Sequence, residues 1–182
     1  MTYKIIIPAR FGSSRLPGKP LSIIGDKPMI QHVWNRASES GADRIIVATD
    51  DPRIQQVCKH FGAECLLTQK DHQSGSDRIV EVCKKLDFND NDIIVNLQGD
   101  EPFMSPVLID ELVANKKKFP SVGVATMCKI IEDISMFSNP SVVKVEFLDI
   151  GIAKFFRRVH EPMLSHNGAL GYKHLGIYAY SV

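Results

Sequence analysis

The sequence predicts an α/β fold, a doubly wound, mixed but mainly parallel sheet, and three observations carry that expectation. Short β-type runs alternate with helix-type segments from Tyr3 to Cys128. That order produces parallel strands with helices on both faces. The run Arg44–Thr49 is apolar on both sides, as a strand covered twice must be. The helix-type segments carry start and stop signals, with Asp51-Pro52 before one and Gly41 and Gly62 after two.

Taken in order, residues 3–7 form the first strand, closed by Pro8. A loop rich in Gly, Ser, Arg and Pro runs on to Pro20. Residues 28–40 have helical spacing, with Met29, Val33, Trp34 and Ala37 on one side, and Gly41 stops them. After the second strand, Asp51 caps a helix that has proline at its first position and Gly62 at its end. Glu64–Leu67 is a third strand, and a polar loop over 68–75 leads to a helix over 76–86. Residues 92–97 form a buried fourth strand, followed by the loop 98–102. Residues 105–119 are helical and 121–128 extended. Beyond Cys128 the alternation stops. Residues 142–147, 153–158 and 174–180 read as strands without long helices between them, a mixed extension of the sheet. No repeat, low-complexity tract or linker interrupts the chain, so the expectation is one domain over residues 1–182.

Composition narrows the function. With 44% apolar and 24% charged residues the chain is ordinary for a globular protein. A net charge of +1 gives no reason to expect nucleic acid or a membrane surface. No apolar run approaches the roughly 18–20 residues that cross a bilayer. The apolar start is too short for a signal peptide, so the expected location is the cytoplasm. Cys58, Cys65, Cys83 and Cys128 form no CxxC pair and are expected as buried, reduced thiols.

Two loops carry chemistry. Pro8-Ala-Arg-Phe-Gly-Ser-Ser-Arg-Leu-Pro-Gly-Lys-Pro20 sets Arg10, Arg15 and Lys19 beside Gly12 and Gly18. Fixed cations and close backbone approach are what a triphosphate requires. A solvated loop is the plainer reading of the same residues, and the position after the first strand argues for the phosphate site. It is not a Walker A loop: GxxxxGK[ST] is absent and no helix is expected directly after Lys19. Asn96-Leu-Gln-Gly-Asp-Glu-Pro102 also follows a strand. Asp100 there suits magnesium, which prefers oxygen ligands. Gly-Asp and Glu-Pro also make an ordinary turn. Asp71-His-Gln-Ser-Gly-Ser-Asp-Arg78 sets small polar residues at a helix start, with Ser74 and Arg78 able to offer directional hydrogen bonds; on the plainer reading Ser74 is a helix cap and His72 faces solvent.

Together these strings resemble the 3-deoxy-manno-octulosonate (Kdo) cytidylyltransferases. The first loop resembles RxxxxRLPGKxL, 96–102 resembles NVQGDEP with Leu97 for valine, and 71–78 resembles DHQSGTDR. Lys173-His-Leu-Gly-Ile-Tyr-Ala-Tyr180 resembles RHxGIYAY, and 153–158 resembles ALYFSR. The resemblance implies a nucleotide-diphospho-sugar transferase fold of Rossmann-like type and transfer of CMP from CTP to Kdo, with pyrophosphate released. It implies Pro8, Ala9, Arg10, Arg15, Lys19, Ser74 and Arg78 at the nucleotide. Arg10, Lys19 and Asp100 would be catalytic, with magnesium on Asp100. Gln98, Arg158, His174 and Tyr178 would face the sugar acid, with Arg158 on its carboxylate. It also implies a homodimer serving lipopolysaccharide synthesis. The alternatives are another acidic sugar (N-acylneuraminate or amino-Kdo) or a truncated CTP-binding remnant without activity. A dinucleotide oxidoreductase is disfavoured, since no GxGxxG follows a strand. Departures fall at Arg157, residues 159–161, the shortened connection over 162–172, and Lys173 for arginine. Members of the family continue into a GVDTPxDL segment with a second metal-binding aspartate, so the chain reads as C-terminally truncated.

Overall fold

The computed structural model describes residues 2–12, 16–148, 150–158 and 170–182. In chain order the elements are β1 (Lys4–Ala9), a one-turn 3-10 helix (Lys19–Leu21), β2 (Ile23–Ile24), β3 (Lys27–Pro28), α1 (Met29–Ser38), β4 (Arg44–Thr49), α2 (Pro52–His60) and β5 (Glu64–Leu67). There follow α3 (Gly75–Lys85), β6 (Ile93–Leu97), α4 (Pro106–Lys118), β7 (Val124–Ile130), α5 (Ile134–Ser138), β8 (Lys144–Phe147), β9 (Ala153–Arg157) and β10 (Tyr172–Ser181). The chain groups into two compact units, Met1–Ala125 with Ile177–Val182, and Thr126–Gly176.

In the first unit, β5, β4, β1 and β6 lie side by side in that order, all parallel, and the end of β10 runs antiparallel beside β6. The chain winds outward from β1 to β4 and β5, then returns to place β6 on the other side of β1. The carboxyl ends of β1 and β6 therefore flank a topological switch point, where open α/β sheets bind ligands. Ile5, Ile6 and Ile7 are all fully buried, so β1 is covered on both faces. Each such side chain contributes about 1.5–3 kcal/mol of burial. Ile6, Ile46, Ala48 and Ile94 pack against Ile79, Val82 and Cys83 of α3. The helices α1 and α4 contact each other, and they reach β1, β4 and β6.

Local signals set the helix ends. Asp51 accepts the Arg53 amide at 2.9 Å to cap α2, and Arg53 holds its carboxyl at about 2. Ser74 and Asp77 form a reciprocal capping box on α3. Several elements differ from expectation. β1 runs through Pro8 to Ala9 rather than closing at Pro8. Its register with β6 ends at Ile6 while that with β4 continues, so a residue lacking N–H is tolerated beyond that point. A helix does follow Gly18, but it is a single 3-10 turn. The β2–β3 hairpin and α5, capped by Asp133, are too short for a periodic signal.

The second unit holds β8 antiparallel to β9 and to the start of β10, with Lys144 opposite Lys173 and Val145 opposite Tyr172. Lys144 is 1% exposed, and its Nζ donates to Asn139 O at 2.7 Å. Burial, with Arg158 adding repulsion, lowers its pKa. Residues 159–169, which include most of the shortened connection, lie outside the described residues. Cys58 and Cys83 are buried and Cys65 is half-buried, but Cys128 is exposed, because the last three residues of β7 are all exposed. The expectation of four buried thiols is corrected there. Among the described residues no helix is long and apolar enough to cross a membrane.

Candidate active site

β1 carries Pro8 and Ala9, then Arg10, to the carboxyl edge of the sheet. Arg10 is exposed. The chain returns at Gly18, whose φ of 71° is left-handed, a conformation glycine takes at least cost. Gly18 N donates to Phe11 O at 2.8 Å, and Leu21 N donates to Gly18 O at 2.8 Å. That turn sets the position of Lys19.

β6 carries Gln98, Gly99 and Asp100 to the same edge. Gly99 lies against β1 so closely that a Cβ there would be 2.9 Å from Pro8 O and 3.4 Å from Ala9 Cβ. The missing side chain is what lets the two strand ends close. Lys19 Nζ then donates to Asp100 Oδ2 at 2.6 Å across 81 residues of sequence. Their side chains are 36% and 49% exposed. A pair this open contributes at most about 1 kcal/mol, so stability does not account for it.

The two charges edge a cavity of about 370 Å³, lined also by Pro8, Ala9, Arg10, Leu16, Pro20, Gln98 and Gly99. A second cavity of about 230 Å³ is lined by Pro8, Arg10, His72, Gln73, Ser74, Gly75, Arg78 and Gln98. Pro8, Arg10 and Gln98 thus border both. Gln98 is held by donating to Asn96 Oδ1 at 2.9 Å. Arg78 is 3% exposed and spends its guanidinium on Thr68 Oγ1, on Gln69 O at 3.2 Å and on Asp50 Oδ2 at 3.2 Å.

The residues expected at the nucleotide and metal, Pro8, Ala9, Arg10, Lys19, Ser74, Arg78 and Asp100, thus border two cavities of the first unit, and Gln98, expected at the sugar acid, borders both. Arg15 lies outside the described residues. Tyr178 sits on β10 opposite Asn96, and burial raises its pKa. Arg158 and His174 belong to the second unit. Arg158 is exposed and donates to Ser141 O at 3.1 Å. His174 is half-buried with its Nε2 2.9 Å from Thr126 Oγ1 and its ring edge-on to Phe156, and burial lowers its pKa. His72 is half-buried, unlike the solvent-facing histidine of the plain capping reading. It is hydrogen-bonded to Glu81 and lines the smaller cavity.

The sequence reading missed Asp50, Asn96, Thr68 and Gly99. Asp50 and Thr68 carried a signal, their places just past the carboxyl ends of β4 and β5. Among the described residues no group of three or more His, Cys, Asp or Glu gathers as a metal site. Asp100 is the only carboxylate among the described lining of the larger cavity. One carboxylate fits magnesium, which completes its shell with substrate phosphates and water.

A basic turn and a carboxylate set at the switch point of a doubly wound sheet mark a nucleotide-binding α/β protein. Residues 4–181 match the cytidylyltransferase family model. A 3-deoxy-manno-octulosonate cytidylyltransferase of Pseudomonas fluorescens (strain SBW25) is 46% identical over 188 residues, covering 98% of this chain and 74% of that protein. A solved CMP:2-keto-3-deoxy-manno-octonic acid synthetase complexed with CTP superposes with a TM-score of 0.88 at 43% identity, covering all of this chain and 74% of the other. A 4-diphosphocytidyl-2C-methyl-D-erythritol synthase, at 14% identity and a TM-score of 0.65 over 99% of this chain and 75% of its own, shares the fold. The chain belongs to the cytidylyltransferase family, within its 3-deoxy-manno-octulosonate cytidylyltransferases.

Proposed function

We propose that this chain transfers CMP from CTP to Kdo and releases pyrophosphate, activating the sugar for lipopolysaccharide synthesis. The observation that carries the reading is the meeting of Lys19 and Asp100 at 2.6 Å beside Arg10 and a cavity at the switch point. The anomeric hydroxyl attacks the α-phosphorus in line, and pyrophosphate leaves. Such a step is driven mainly by positioning and charge stabilisation. Arg10 and Lys19 neutralise charge on the departing pyrophosphate. Ser74 offers a directional hydrogen bond from the wall of the smaller cavity, and its volume of about 230 Å³ supports a base there.

Asp100 would hold magnesium, which when bound supplies charge neutralisation at the phosphates and acidifies the attacking hydroxyl. Lys19 leaves Asp100 for the triphosphate as nucleotide enters, exchanging one anion for another. Gln98, Arg158, His174 and Tyr178 are assigned to the sugar acid, Arg158 through a guanidinium fork suited to a carboxylate. A homodimer working in the cytoplasm, where CTP is available, completes the reading. The test is pyrophosphate release from CTP with magnesium and Kdo, N-acylneuraminate or amino-Kdo in turn. Release with Kdo above the others is expected. CTP binding without sugar-dependent release would overturn the reading.

A further inference from the structure

Asp50 follows the last residue of β4, and its side chain is 12% exposed. Its two oxygens have different partners. Oδ2 takes the Arg78 guanidinium at 3.2 Å, and Oδ1 accepts the Phe11 amide at 3.1 Å. Phe11 is next to Arg10 and is tied to the far end of the loop, since its carbonyl accepts the Gly18 amide at 2.8 Å. Its ring is clamped as well. The Arg53 guanidinium stacks on it at 3.5 Å, and a Cβ on Gly18 would lie 3.0 Å from Phe11 Cε2. A continuous path runs from Arg78 through Asp50 and Phe11 to Gly18 and Lys19.

We propose that Asp50 is a positioning residue: it fixes the Phe11 backbone, and through it Arg10 and Lys19, while Arg78 supplies the buried counter-charge. Arg78 also lines the smaller cavity, so one ion pair borders the space assigned to the base and anchors the groups assigned to the phosphates. The proposal rests on the cytidylyl-transfer reading for its kinetic consequence but not for its geometry.

Two measurements test it. In nucleotide-free protein, the Phe11 amide should exchange with solvent much more slowly than the amide of Gly12. In Asp50→Ala it should speed up at least about tenfold, the scale of one lost charge-assisted hydrogen bond, with Ile6 unchanged. In kinetics, Asp50→Ala should lower kcat/KM for CTP on the order of 100-fold, as loss of positioning does. The same change should cost less than about tenfold in a Lys19→Ala background, because a positioning group acts through what it positions. Losses that multiply across the two variants, or a wild-type Phe11 amide as exposed as Gly12's, would overturn the proposal. The wild-type exchange measurement holds even if Asp50→Ala does not fold. If the wild type makes no pyrophosphate from CTP and Kdo, the transfer reading fails, and exchange alone decides the role of Asp50.

Discussion

Gly99→Ala isolates the closure of β1 on β6. The new Cβ would stand 2.9 Å from Pro8 O, where ordinary contact begins at 3.4 Å. The neighbour is backbone, so no side chain can swing away. The two strand ends must part by about 0.5 Å, at an overpacking cost of about 1–3 kcal/mol. Asp100 is the next residue and meets Lys19 at 2.6 Å, so the same shift is felt at the charge pair. A misplacement of about 1 Å costs on the order of 100-fold in rate; half of that should cost about tenfold. The assay is pyrophosphate release with CTP and Kdo, with a thermal melt on the same sample. The expected result is about a tenfold fall in kcat/KM for CTP in a protein that still melts cooperatively. A variant within about twofold of wild type would show that this close approach does not set the site.

Lys19→Ala and Asp100→Ala should each lower turnover by at least about 100-fold, the scale of one preorganised electrostatic contact; near-normal rates in either would remove that residue from the mechanism. Ser74→Ala removes a hydroxyl that accepts the Asp77 amide at 3.1 Å. It should cost about 1 kcal/mol of stability, and a KM for CTP raised several-fold would add nucleotide contact to capping. Burial works against ionisation of Glu81, but Lys85, His72 and the Gln69 amide outweigh it and hold the carboxyl at about 2, below the ordinary 4.5. The unfolded chain therefore takes up that proton first on acidification. Stability from these bonds should be complete above pH 4.5 and fall towards pH 2, and Glu81→Gln should flatten the fall in a denaturant titration across that range.

The sequence alone determined the parallel core and the two chemical loops. Strands such as Arg44–Thr49 and helix caps such as Asp51-Pro52 are specified by neighbouring residues, through burial periodicity and local hydrogen bonds. The strings around Lys19 and Asp100 could be read because phosphate and metal chemistry admits few residue types. The tertiary structure decided what those residues touch. Arg78 reads in sequence as a nucleotide contact, and only the fold shows its guanidinium taken up by Thr68, Gln69 and Asp50. Gly99 reads as a turn residue until Pro8, 91 positions earlier, is found against it. Asp50 had no partner in view until Phe11 arrived from another strand end. These contacts are set by which strand ends lie side by side in the sheet, and adjacency of that kind has no local trace in the chain.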